Sequence, residues 1–177
     1  MLRLVIGGAR SGKSSLAVRL ATAQSGPVIF IATAEPGDAE MATRIAVHQA
    51  ERPAGWTTVE EPIDLNRALS AGPADATVIV DCLTLWIANL LDRDLSHDRI
   101  LDLARSAAAT AAARPGLVVA ITNEVGGGIV PDNPLARRYR DLLGDANRIW
   151  AERAAETFLV VAGRLVPTLD PAALTVD

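Results

Sequence analysis

Residues Gly7–Ser14 read GGARSGKS, which satisfies G-x-x-x-x-G-K-[ST] in full. Glycines in such a loop let backbone N–H groups turn inward around phosphate oxygens, and a helix starting there adds a positive field. Gly7, Gly8, Ala9, Arg10, Ser11 and Gly12 would form the cradle. Lys13 would reach the β- and γ-phosphates of a nucleotide, and the Ser14 hydroxyl would ligate Mg²⁺. The flanks suit the motif: an apolar run, Leu2–Ile6, precedes it and a helical pattern follows from Lys13.

A phosphate loop needs a carboxylate to hold the hydration shell of Mg²⁺. The segment TVIVD, Thr77–Asp81, is an apolar strand ending in one. Two readings of Asp81 are open, a metal-facing carboxylate and an ordinary turn former. Polar groups also follow other apolar runs. IATAEPGD places Thr33, Glu35 and Asp38 after one of them, and ITNEVGGGIVPDN places Asn123 and Glu124 ahead of Gly126–Gly128. That second segment reads either as a loop that closes over a substrate or as a plain turn. Glu124 is a candidate general base for phosphoryl transfer.

RIAVHQAERPAGW, residues 44–56, contains one of only two histidines. On a helix, Met41, Ile45 and His48 share one face, while Arg44, His48 and Arg52 form a neighbouring stripe. His48 therefore stands at the border of an apolar and a basic face. It reads as a packed helix residue, a phosphate contact or a nucleophile. Flanking cations disfavour imidazolium, so the third role is chemically coherent. A neutral ring attacking a nucleotide α-phosphorus would form a phosphoramidate, and the arginines would steady the departing pyrophosphate. His97 follows the expected N-cap Ser96 and reads as a surface residue.

To bring these groups together, the chain must alternate strands and helices. The apolar runs Leu2–Ile6, Val28–Ala32, Thr77–Val80, Leu117–Thr122 and Phe158–Val161 predict parallel strands buried on both faces. Helical spacing predicts helices over Lys13–Ala23, Glu40–Glu51, Leu83–Leu91, His97–Ala113 and Leu135–Glu156. Pro134 suits the first turn of the last, and Gly144 is a place for it to bend or break. The tail from Arg164 could add a short edge strand. The expected class is α/β, a mostly parallel sheet flanked by helices, with ligands at the carboxyl ends of the strands.

Composition narrows the function. The 177 residues are most simply one nucleotide-binding domain, 1–177, and 50% hydrophobic with 21% charged residues excludes a disordered chain. A net charge of −4 gives no electrostatic reason to bind nucleic acid, so no nucleic-acid partner is expected. A single cysteine, Cys82, permits no internal disulfide. With no run approaching the roughly 20 apolar residues of a membrane span, a cytoplasmic location is expected.

GGARSGKS, IATAE, RIAVHQAERPAGW, VDCLTLWIANLL and TNEVGGGIVPDNPLARRYRDLLGDANRIWAERA together resemble the bifunctional adenosylcobinamide kinase/adenosylcobinamide-phosphate guanylyltransferases. The resemblance runs to about Gly163. It implies a RecA-like P-loop fold and a homotrimer. It also implies two reactions: phosphorylation of adenosylcobinamide with ATP or GTP, and transfer of GMP from GTP, through a guanylylated histidine, to adenosylcobinamide phosphate. By position His48 matches that histidine, and Gly7–Ser14, with Lys13 catalytic, match the phosphate loop. Ala32, Thr33 and Ala34 match a nucleotide-contacting strand end. Gln49, Ala50, Glu51, Arg52 and Glu60 or Glu61 match further GTP contacts. Asp81 falls where some members carry glutamate, and with Ser14 it is the expected Mg²⁺ pair. Two alternatives have other consequences: a P-loop small-molecule kinase in which His48 only binds phosphate, and a RecA-like ATPase.

Overall fold

The computed structural model describes residues 1–37, 39–50 and 52–171, apart from the side chains of Glu40, Met41, Arg44 and His48. Its strands are β1 Leu2–Gly7, β2 Val28–Ala32, β3 Thr57–Glu60, β4 Thr77–Asp81, β5 Val118–Asn123, β6 Glu156–Val161 and β7 Arg164–Pro167. Its helices are α1 Lys13–Thr22, α2 Ala39–Ala50, α3 Leu65–Ser70, α4 Leu83–Asp92, α5 His97–Ala113 and α6 Pro134–Arg153. One seven-stranded sheet runs in the order β3-β2-β4-β5-β1-β6-β7. All pairings are parallel except the β6–β7 hairpin.

The continuous apolar runs explain this architecture, because alternate residues of one strand supply two cores. Leu4, Ile29, Ile31, Val78, Val80, Val118 and Ala120 face helices α3–α6 and pack on Trp86, Ile100, Leu142 and Trp150. Their neighbours Val5, Val28, Phe30, Ile79, Val119 and Ile121 face the other way, onto Ala17 and Ala21 of α1. Small residues also let α5 lie close: Ala104, Ala107, Ala108 and Ala111 are fully buried. Both helix starts foreseen from the sequence are capped. Ser96 accepts from the Arg99 amide at 3.2 Å, and Asn133 accepts from Leu135 at 2.7 Å ahead of Pro134.

Two elements have no counterpart in the sequence reading. β3 is an edge strand, mostly exposed, so it lacks the apolar run that marks its neighbours. The single short α3 is set by its cap, Asp64 accepting from the Arg67 amide at 3.0 Å. Two helix expectations are corrected. α6 passes through Gly144 without a break: that residue is exposed, and the helix is held by the buried Leu142, Leu143, Ala146 and Trp150. It also stops at Arg153 rather than Glu156, because Glu156 pairs beside Arg3 as the first residue of β6. The expected edge strand in the tail is β7. It is reached through Ala162 and Gly163, whose positive φ values of 48° and 73° suit a two-residue hairpin turn. Among the described residues no helix is long and apolar enough to cross a membrane.

Candidate active site

The phosphate loop leaves β1 at Gly7 and enters α1 at Lys13, as the motif requires. Gly12 adopts φ 98° and Arg10 φ 55°, left-handed values that curl the chain around a central space. A side chain on Gly7 would collide with the Val160 carbonyl of β6, so only glycine fits there. The hairpin after β6 supports the loop from behind, the Gly163 amide donating to the Ser11 carbonyl at 2.8 Å. Lys13 is buried and its Nζ donates to the Gly8 carbonyl at 2.6 Å, spanning the loop. Burial lowers its pKa from the ordinary lysine value, while nearby Cys82 and Asp81 oppose the shift.

Sheet order brings the Asp81 carboxylate to this loop. β5 lies between β1 and β4, with Gly7 opposite Asn123 and Asp81 opposite Ile121. Across that edge the Ser14 hydroxyl donates to Asp81 Oδ2 at 3.4 Å. A hydroxyl and a carboxylate oxygen this close, beside the loop, form a donor set of the hard oxygen type that Mg²⁺ takes together with phosphate oxygens. The strand end is braced by Thr33, whose hydroxyl donates to the Cys82 carbonyl at 2.7 Å and accepts from the Cys82 amide at 2.8 Å. Asn89 donates to the Thr33 carbonyl at 2.7 Å.

A cavity of about 1150 Å³ opens over these groups. Arg10, Lys13 and Ser14 form its phosphate end, Asp81 and Asn123 its floor, and Phe30, Leu85 and Ile121 an apolar wall. α2 lies along it, presenting Ala42, Ile45, Ala46 and Gln49. Ala9, Ser11, Gly12, Ala32, Ala34, Arg52 and Glu60 complete the overlap with the expected nucleotide contacts. Past the end of α2 a smaller cavity of about 400 Å³ shares Gln49, Arg52 and Glu60 and adds Trp56 and Thr58. Here Gln49 Nε2 donates to Glu60 Oε1 at 2.8 Å and Arg52 donates to Thr58 Oγ1 at 3.2 Å. The Arg52 guanidinium stacks 4.0 Å above the Phe30 ring, while its Nε is buried with no partner among the described residues. Burial lowers its pKa, against the pull of Asp81 and Glu60.

Some expected contacts stand apart from the cavity. Thr33 is fully buried in the β2–β4 brace. Of the pair Glu60 and Glu61, only Glu60 faces the cavity. Glu61 is buried, accepts from the Ile63 and Asp64 amides at 3.1 and 2.9 Å and pairs with Arg67. Burial opposes its ionisation, but those two amides and Arg67 outweigh it and hold its pKa below the usual glutamate value. Gly7 and Gly8 shape the loop without lining the space, and Ala50 is exposed at the end of α2. His48 lies in α2, but its side chain, like that of Arg44, is outside the described residues, as are Glu51 and Asp38. Glu124 is exposed, and one carboxylate oxygen accepts from the Gly126 amide. Glu35 pairs with Arg93 at 2.8 Å, tying the chain after β2 to the end of α4. His97, half-exposed, lies 3.5 Å from Asp145.

Phe30, Trp56, Thr58, Thr84 and Leu85 line the two cavities without having been singled out from sequence. Phe30 carried a signal as a large residue within the run Val28–Ala32, and Trp56, Thr84 and Leu85 lie in segments quoted for the resemblance; Thr58 carried none.

A family model described as cobinamide kinase / cobinamide phosphate guanyltransferase matches residues 3–168. The bifunctional adenosylcobalamin biosynthesis protein CobP of Pseudomonas aeruginosa is 46% identical over 169 residues, covering 94% of this chain and 96% of that protein. CobU of Salmonella typhimurium, with the same description, is 40% identical over 176 residues, covering 92% and 97%. Among solved structures, a Pyrococcus horikoshii protein superposes with a TM-score of 0.56 at 10% identity, covering 94% of this chain and 84% of that one. The RadB recombinase does so with a TM-score of 0.50 at 15% identity, covering 89% and 73%. These distant likenesses establish the RecA-like P-loop fold, and the relatives, matched over most of both chains, establish the lineage. The chain belongs to the cobinamide kinase/cobinamide phosphate guanyltransferase family.

Proposed function

We propose that this protein is the two-activity enzyme of its family, phosphorylating adenosylcobinamide and then converting the phosphate to adenosylcobinamide-GDP. The observation that carries the reading is the convergence of Lys13, Ser14 and Asp81 at one cavity, in a chain matched over residues 3–168 to that family.

In the kinase step the substrate hydroxyl gives up its proton to solvent and attacks the γ-phosphorus of ATP or GTP, forming the new P–O bond as the bond to the β-phosphate oxygen breaks. Lys13 and the loop amides hold the β- and γ-phosphates and stabilise the charge that accumulates on them. Ser14 and Asp81 would hold Mg²⁺, which supplies further neutralisation of the polyphosphate. The nucleoside diphosphate leaves.

In the transfer step a ring nitrogen of His48 attacks the α-phosphorus of GTP and pyrophosphate departs, leaving GMP on the histidine. A phosphate oxygen of adenosylcobinamide phosphate then attacks the same phosphorus and frees His48. Support comes from family membership and from the place of His48 in α2, the helix that lies along the phosphate cavity. The smaller cavity supplies the base site in this reading. The Glu60 carboxylate would accept from guanine N1–H and the 2-amino group, with the Arg52 guanidinium lining the same cavity. Adenine offers neither pairing. The homotrimer implied by the resemblance belongs to the same proposal, and equilibrium sedimentation tests it.

One experiment separates this from a simple kinase. Incubation with GTP labelled at the α-phosphate should leave acid-labile, alkali-stable label on the wild-type protein and none on His48→Asn. Phosphorylation of adenosylcobinamide with no such label would reduce the protein to a kinase.

A further inference from the structure

The loop between β5 and α6 carries apolar side chains that the fold does not use. Ile129 is 97% exposed, and Val130 and Leu135 are 59% and 55% exposed. Such a cluster marks a contact surface. The loop itself is well anchored. Arg137 donates to the Pro131 and Asp132 carbonyls at 2.7 Å each, Asn133 caps α6, and Glu124 accepts from the Gly126 amide. These bonds secure both ends and leave the apolar tip facing solvent.

Gly127 and Gly128 sharpen the point. Neither has a positive φ, and a Cβ on either would meet nothing within 4 Å. Among the described residues nothing requires glycine there. What glycine provides is bare backbone beside Ile129, over which a flat molecule can approach closely.

Position says which molecule. The loop leaves the sheet immediately after Asn123, which lines the phosphate cavity and pairs with Gly7 at the root of the phosphate loop. One strand spacing, about 4.8 Å, separates β5 from β1. A substrate seated on this loop would therefore approach the cavity from the side that Asn123 lines. A corrin macrocycle is broad, carries methyl groups as well as carboxamide arms around its rim, and bears its reactive alcohol at the end of one arm. The cavity of about 1150 Å³ must already take a nucleotide, so the ring stays outside while the arm reaches in.

We propose that the Val125–Leu135 loop is the seat of the corrinoid ring, with Ile129, Val130 and Leu135 packed against it and Gly127–Gly128 letting it approach the backbone. The proposal rests on the cobinamide reading of the family. A second copy of the chain is the competing occupant.

The test uses the full-length protein with Ile129→Ser/Val130→Ser, exposed changes that should leave the thermal midpoint unaltered. ATP-dependent phosphorylation of cobinamide should show KM for cobinamide raised about tenfold or more, with a much smaller change in kcat. Label from GTP should be retained, as should the mass by light scattering. Ile129→Leu/Val130→Ile should restore the wild-type KM. An unchanged KM in the serine variant overturns the loop assignment, and a raised KM accompanied by loss of mass assigns the surface to a second copy. Wild-type protein that neither phosphorylates nor binds cobinamide defeats the family reading itself, and the loop proposal with it.

Discussion

The Ser14 hydroxyl and the Asp81 carboxylate, 67 residues apart in sequence, meet at 3.4 Å across the carboxyl edge of the sheet. Neither strand nor loop alone makes this pair. It exists because β5 sits between β1 and β4 and sets the height of both ends.

Removing either end of this arrangement should affect phosphoryl transfer more than folding. Asp81→Asn keeps the shape and removes the charge, so cobinamide phosphorylation should fall by about 10²-fold or more and need higher Mg²⁺ for half-activation. Lys13→Ala should lose a similar factor in kcat while retaining the circular dichroism of the wild type. Steady-state kinetics with a magnesium titration checks both. Near-normal rates in both variants would remove the phosphate loop from the kinase step.

Glu60 and Glu61 are neighbours with opposite expected phenotypes. Glu60→Gln should weaken GTP binding and narrow the preference for GTP over ITP, which lacks the 2-amino group, with little change in stability. Glu61→Gln should preserve that preference and lose about 1–3 kcal/mol of stability at neutral pH, since the Ile63 and Asp64 amides and Arg67 lose their charged partner. The sign with pH follows from its depressed pKa: the contribution is present above the ordinary glutamate value and is lost as pH falls through the folded one. Urea denaturation at several pH values and competitive nucleotide binding measure the two effects.

That pair also shows where sequence is informative. The phosphate loop, the strand ending in Asp81 and the helix carrying His48 were legible because each is local: a motif, an apolar run, a periodicity. Glu60 and Glu61 were not separable, since which of two adjacent carboxylates turns inward depends on the loop into α3, whose helix is too short to leave a period. β3 was hidden for a similar reason, as an edge strand has no apolar face to reveal it. Arg52 was legible as a cation but not as a guanidinium stacked on Phe30, a contact between segments 22 residues apart. Gly144 misled in the other direction, because an exposed glycine in a helix with a buried face costs only about 1 kcal/mol.

Cys82 provides a pH test of the cavity wall. Burial first, and then the Asp81 charge, push its thiol from 9.0 up to about 12. The thiol should therefore react slowly with disulfide reagents at pH 8 and faster once urea unfolds the chain. Because the folded pKa lies above the unfolded one, the folded state holds its proton longer. Stability from this group is intact below about pH 9 and declines as pH rises toward 12. Cys82→Ser should flatten that decline. Rapid modification of the native protein at pH 8 would contradict the raised thiol pKa.

The central claim is that one chain carries both a P-loop phosphoryl transfer and a nucleotidyl transfer through His48. Its most direct measurement is peptide mass spectrometry after incubation with GTP and Mg²⁺. The account predicts a GMP adduct on the peptide containing His48, absent from His48→Asn and discharged by adenosylcobinamide phosphate as adenosylcobinamide-GDP appears. An unmodified His48 in a protein that still makes adenosylcobinamide-GDP would contradict it.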